Sequence, residues 1–176
     1  MSTLKVNAIT ETDGSAFPFP QGVSEADQWR INSNFTINSS DTQMDSNWER
    51  NDTDFDKIGT GMSQSSGVFT FPSTGIWWCR INITGTENEF IQQAQVEMRV
   101  STDSGSNYNT RAYSVSNTSN DFGSKLYNLS CDTILDVTNA STFRVRFKGY
   151  GTRQTDFLGS SSQNQTYTTW LKLGDT

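Results

Sequence analysis

The sequence predicts an all-β fold, and three observations carry that reading. Apolar and polar residues alternate strictly at Phe143, Val145 and Phe147 against Arg144, Arg146 and Lys148. They alternate again at Phe90, Ala94, Val96, Met98 and Val100 against Ile91, Gln93, Gln95, Glu97 and Arg99, with Gln92 as the exception on the apolar side. A period of two puts one set of side chains on each face of a strand, which a helix does not do. Short β-branched and aromatic runs also recur between clusters of Gly, Asn, Asp, Ser and Thr, the punctuation of a sandwich or barrel. With 32% hydrophobic and 12% aromatic residues, the core has few aliphatics and many rings to build from. At 176 residues the chain is the size of one domain, able to bury roughly 70% of its unfolded surface.

Taken in order, residues 1–24 stand apart from the rest. A strand-like piece carrying Leu4, Val6 and Ile9 leads into Phe17-Pro18-Phe19-Pro20, which is extended because each residue before a proline is pushed out of the helical region. Two aromatics with no core of their own call for a docking surface. Residues 1–24 therefore read as an attachment arm, with Leu4, Val6, Ile9, Phe17 and Phe19 as its contacts, and residues 25–176 as the domain.

Within the domain, Trp29, Ile31, Phe35 and Ile37 are the expected inward residues of the first segments, followed by Trp48, Phe55 and Ile58 among charges. Residues 67–83 give the clearest hairpin signal. Val68, Phe69 and Phe71 form one run, Pro72-Ser73-Thr74-Gly75 breaks it, and a second run places Trp77, Cys79, Ile81 and Ile83 on one face with Trp78, Arg80 and Asn82 on the other. Strands are expected over 89–100, 108–115, 126–137 (Leu129, Cys131, Leu135 and Val137 inward), 142–150 and 167–173. The connecting loops fall at 101–107, 117–123 and 151–165. The total is roughly eight to ten strands and no helix.

Several function classes are excluded by composition. There is no histidine, so neither His-based nucleophilic triads nor the usual zinc sites can be built. Net charge is −6 with pI near 4.5, which argues against nucleic acid and anionic membranes as partners. Asp52, Asp54 and Asp56 alternate, yet the run lacks the Gly and distal Glu of an EF-hand loop and reads as a solvated loop. No catalytic set is recognisable, so neither enzyme activity nor a cofactor is expected. Cys79 and Cys131 lie in apolar segments and read first as buried free thiols, with a disulfide between neighbouring strands as the alternative. No apolar run approaches a membrane span and the start of the chain has no signal-type h-region, so folding in a cytoplasm is expected. On that expectation the repeated Asn-X-Ser/Thr triplets follow from composition.

The order of features carries a resemblance. Gly67, Phe69, Pro72, Gly75 and Trp77 form a GxFxxPxxGxW-like pattern, an LDVTNASTFRVRF segment follows, and an aromatic C-terminal strand ends in LKLG. Over residues 27–174 this resembles the C1q/tumour necrosis factor-like domain. The resemblance implies a ten-stranded jelly roll that assembles as a trimer, with its last strand central in one sheet. The turn Asn139-Ala140-Ser141 replaces the family's frequent Gly-Asp, so no calcium site is carried over, and there is no collagen repeat. The leader MSTLKVNAITETDGSAFPFP looks like that of marine bacteriophage structural proteins. Together the two resemblances imply a homotrimeric virion surface protein, a capsid decoration (cement) or short-fibre protein assembled in the host bacterial cytoplasm. The arm would dock on other virion proteins such as the major capsid protein.

Trp78, Tyr150 and Trp170 are expected to face outward and to pack between subunits, since interfaces are enriched in Trp and Tyr. Arg144 and Arg146, with Lys148, form either a solvated face or an inter-subunit ion-pair row. The alternative function is a receptor-binding tip for host glycans, for which Asn107-Tyr108-Asn109 and residues 163–167 are the candidate loops.

Overall fold

Alternation of residue type becomes alternation of burial. In the computed structural model, which describes residues 22–87, 93–117 and 125–176, fourteen strands form among the described residues and no helix does. They are β1 (Ala26–Ile31), β2 (Phe35–Ile37), β3 (Thr42–Gln43), β4 (Trp48–Arg50), β5 (Lys57–Ile58), β6 (Ser63–Ser65) and β7 (Val68–Thr70). The second half contributes β8 (Gly75–Glu87), β9 (Ala94–Ser101), β10 (Asn109–Ser116), β11 (Lys125–Val137), β12 (Arg144–Gly151), β13 (Thr155–Phe157) and β14 (Tyr167–Gly174). The arm residues Leu4, Val6, Ile9, Phe17 and Phe19 lie outside the described residues, as do Phe90, Gln92 and most of the 117–123 loop.

Two antiparallel sheets face each other. The first has the order β2-β13-β8-β14-β1-β4, with β11 also on β8 and β5 also on β1. Strand β8 is long enough to take β11 along one whole edge, and β14 followed by β13 along the other. The second sheet runs β10-β9-β12-β7-β6, with β3 extending β12. The closing strand β14 thus sits between β8 and β1, inside the first sheet.

The core lies between the sheets. Trp77, Cys79, Ile81, Ile83 and Trp170 come from the first, and Phe69, Val96, Met98, Val100, Val145 and Phe147 from the second. Rings dominate it, as the composition requires. Phe69 stands 5.1 Å from Trp170 and 5.8 Å from Phe147, and Phe71 packs edge-on to Trp77 at 5.2 Å. Each such pair adds about 0.5–1.5 kcal/mol beyond the area it buries.

Three expectations are corrected. Residues 67–83 do not form a hairpin: β7 pairs with β6 and β12 in the second sheet, whereas β8 belongs to the first. The Pro72–Gly75 break is a crossover between layers, which lets both apolar runs bury a face in one core. The tight hairpin is one step earlier, where β6 and β7 pair around Ser66 and Gly67, both at positive φ (48° and 72°). That is the signature of a primed two-residue turn. Gly67 is required there, because a Cβ would sit 2.0 Å from the Met44 carbonyl oxygen.

The second correction concerns Trp170, which does not face outward. It is fully buried, because β14 turns Thr168 and Trp170 inward and Tyr167, Thr169 and Leu171 toward solvent. The third is a boundary: of the strand expected over 89–100, residues 89–92 lie outside the described residues, Gln93 is not in a strand, and β9 runs from Ala94 to Ser101.

Candidate interaction surfaces

The solvent side of the first sheet is divided along its strands. At one end, Trp78 on β8 lies in register with Ile134 on β11 and Leu171 on β14, an apolar row across three strands. Ile134 is 61% exposed, and the Trp78 indole Nε1 donates to Asp132 Oδ2 at 3.2 Å. The sandwich is closed on this side by β11, which edges the first sheet, and β10, which edges the second; the two lie side by side. Their outward positions carry Leu126 (72% exposed), Tyr113 (66%) and Val115. Exposed apolar side chains scattered singly are ordinary, and Leu126 stands apart from the row, beyond Asn128, Ser130 and Asp132 on the same face of β11; the row itself is the candidate interaction surface.

Toward the other end the same sheet is polar. Arg80, Asn82 and Thr84 on β8, Asn128 and Ser130 on β11, and Asn164, Gln165 and Tyr167 before and at the start of β14 line an open hollow of about 450 Å³. Arg80 Nε donates to Asn82 Oδ1 at 3.1 Å, Thr84 Oγ1 donates to Asn128 Oδ1 at 3.2 Å, and Asn164 Nδ2 donates to Gln28 Oε1 at 2.6 Å.

The second sheet holds the other predicted residues. Tyr150 is half-buried on the solvent side of β12, opposite Gln95, and so shares no face with Trp78. The cationic stripe is satisfied within the chain. Lys148 Nζ pairs with Asp41 at 2.7 Å and Glu97 at 3.6 Å, and Arg146 donates to Gln43 Oε1 at 2.8 Å. Arg144 donates to the carbonyls of Ala140, Ser141 and Phe143. Of the two loop candidates, Tyr108 is engaged: the Arg146 guanidinium lies 3.8 Å from its ring centroid. Beside it, the Ser101 hydroxyl and the Asn107 side chain and backbone bond the Asp103 carboxylate, holding its pKa at about 2. The other loop supplies Tyr167 to the hollow.

Sequence reasoning missed two buried charges on β1. Arg30, 1% exposed, donates to Glu49 at 2.8 Å, Asp52 at 2.8 Å, Thr53 at 3.1 Å, Asn51 at 3.2 Å and the Ser161 carbonyl. Asp27, also 1% exposed, accepts from Arg50, from Trp29 Nε1 at 3.0 Å and from the Met62 amide at 2.7 Å. These networks fasten residues 49–62 and the 161 loop onto the edge of the first sheet. The available signal was that the six residues ADQWRI hold Asp27 and Arg30 at opposite parities, so one of the two charges must point inward whichever face is buried. Cys79 and Cys131 are free and buried. Among the described residues no cluster of three metal-ligating side chains occurs and no helix is long and apolar enough to cross a membrane.

The sheet order and closing central strand are those of a tumour necrosis factor-like jelly roll, and comparison with solved structures agrees. The chain is similar to the Eiger TNF of S. frugiperda, with TM-score 0.64 and 11% identity over 86% of this chain and 93% of that one. It is also similar to murine APRIL, with TM-score 0.57 and 13% identity over 85% and 98% of the two chains. No family profile matches the sequence, and no curated protein does. At these identities the likeness defines the fold.

Proposed function

We propose that this chain is a non-catalytic structural protein that assembles as a homotrimer and decorates a bacteriophage virion, held there by residues 1–24. The observation that carries the assembly is the apolar row of Trp78, Ile134 and Leu171 across three strands, with Tyr113 and Val115 exposed on the neighbouring β10 edge. A ring of three identical subunits uses a heterologous contact, in which one patch meets a different patch of the next copy. An edge and a neighbouring sheet face on one subunit suit that geometry. Tyr150, Arg144 and Arg146 lie on the other sheet and belong to the interface only if the second patch is there. Support for the virion comes from the leader sequence and from its paired aromatics, Phe17 and Phe19, which need a docking partner. The arm would reach onto neighbouring capsid subunits, with apolar contacts carrying the affinity. Co-sedimentation with undecorated capsids tests this reading. Full-length protein is expected to pellet with capsids, and protein lacking residues 1–24 to stay in the supernatant while keeping its own mass; equal pelleting of both would contradict the arm.

A second reading, recognition of host-surface glycans, is favoured by one feature, the polar hollow beside Tyr167. Host-cell binding by the isolated protein, abolished by filling that hollow, is its expected signature.

A further inference from the structure

We propose that the hollow between β8, β11 and residues 164–167 takes a saccharide bearing a carboxylate. The inference rests on the glycan-recognition reading and narrows it to acidic sugars.

Size and donor chemistry lead to this ligand. A volume of about 450 Å³ is within the range of small-molecule sites, roughly 300–1,000 Å³, and accommodates one or two sugar rings. The side chains around it are carboxamides and hydroxyls, from Asn82, Asn128, Asn164, Ser130 and Tyr167, and no carboxylate lines it. Carboxamides donate and accept at once, which matches sugar hydroxyls, and the Tyr167 ring offers an apolar face for a pyranose.

Arg80 supplies the selectivity. Arg30, Arg50, Lys148 and Lys172 each pair with a carboxylate, and Arg146 stacks on Tyr108. Arg80 lines the hollow with its Nε on Asn82, and its guanidinium has no ion pair and no other hydrogen bond among the described residues. The carboxylate across from it in register, Asp132, accepts from Trp78 instead. The Arg80 Nη groups are therefore a free fork, the geometry that binds a carboxylate in bidentate fashion. A single guanidinium among amides favours a hydroxyl-rich monoanion over a free phosphate, which draws on several cations or a helix N-terminus.

Calorimetric titration of the full-length assembled protein tests this, with a glucuronate disaccharide, the matching glucose disaccharide and inorganic phosphate as probes. The uronate is expected to bind at least tenfold more tightly than the glucose analogue, with phosphate weaker than the uronate. Arg80→Gln should erase the difference between the two sugars. Asn128→Asp, which adds a carboxylate to the lining and leaves Arg80 in place, should weaken the uronate more than the neutral sugar. Equal binding of both sugars by the unaltered protein overturns the inference while leaving glycan recognition intact. Phosphate binding as strong as the uronate overturns it too. No binding of either sugar, as when assembly closes the hollow, overturns both.

Discussion

Ile134 and Trp78 sit directly opposite each other on the solvent side of β11 and β8, and 61% of Ile134 remains exposed. Facing apolar side chains contribute about 0.2–1 kcal/mol to sheet pairing, which leaves the exposed remainder available to a second copy. Ile134→Asp should therefore convert the assembly to monomer at micromolar concentration and change subunit stability by no more than ~1 kcal/mol. Sedimentation and far-ultraviolet circular dichroism on the same samples check both halves. A variant that keeps the wild-type mass removes this face from the interface.

Two tryptophans separate core from surface. Trp170 is fully buried among Phe69, Phe71 and Phe147, and truncation there leaves a cavity that neighbouring strands cannot close. Trp170→Ala is expected to cost ~3–5 kcal/mol. Trp78→Ala should cost the isolated subunit much less and act on assembly instead. Urea denaturation of both variants, with the slope compared to wild type, makes the distinction.

Legibility in the sequence follows the same division. The long strands β8, β9, β11 and β12 were readable because each buries one face only, so residue type tracks burial at period two. Trp170 was misplaced because its neighbours on β14 give no such contrast: threonine occupies both faces, at 168 and 169. The supposed hairpin at residues 67–83 misled because a turn between two apolar runs looks the same whether the runs pair or diverge into opposite sheets. The hollow was half visible, since residues 163–167 were singled out, but Arg80 and Asn128 join it only through strand register. The buried Arg30 and Asp27 were hidden because burying a charge depends on partners 19 to 131 residues away.

Removing Arg30 strands several of those partners. Glu49 is 28% exposed and Asn51 4%, whereas Asp52 is 81% exposed and remains solvated. Arg30→Ala should cost ~3–5 kcal/mol, the usual penalty for orphaning a buried pair. Asp52→Asn should cost less than ~1 kcal/mol, in keeping with an exposed partner. Thermal melts at moderate ionic strength compare the two directly; equal losses would show that Asp52 matters as much as the buried contacts.

The thiols set an alkaline limit on the fold. Cys79 faces Thr133 and Cys131 faces Ile81, so the cysteines share a face one diagonal step apart and remain unpaired. Burial raises the Cys131 thiol from about 9.0 to about 12, and raises Cys79 well above its ordinary value. Burial likewise pushes Tyr127 to about 12. With folded values above unfolded ones, the unfolded chain loses these protons first. The contribution of these three groups is therefore constant below about pH 9 and is lost as pH rises from about 9 to about 12. Denaturant midpoints measured from pH 7 to 11 should show this slope, and Cys131→Ala should flatten its lower part. At pH 8 a disulfide-exchange reagent should label neither thiol without denaturant.

Assembly of this jelly roll through the Trp78–Ile134–Leu171 face, as proposed, is read out by sedimentation equilibrium of the full-length chain from 1 to about 50 μM, a window that spans micromolar dissociation constants. A single species at three times the 19.7 kDa chain mass is expected across that range. A species at the chain mass throughout would contradict it.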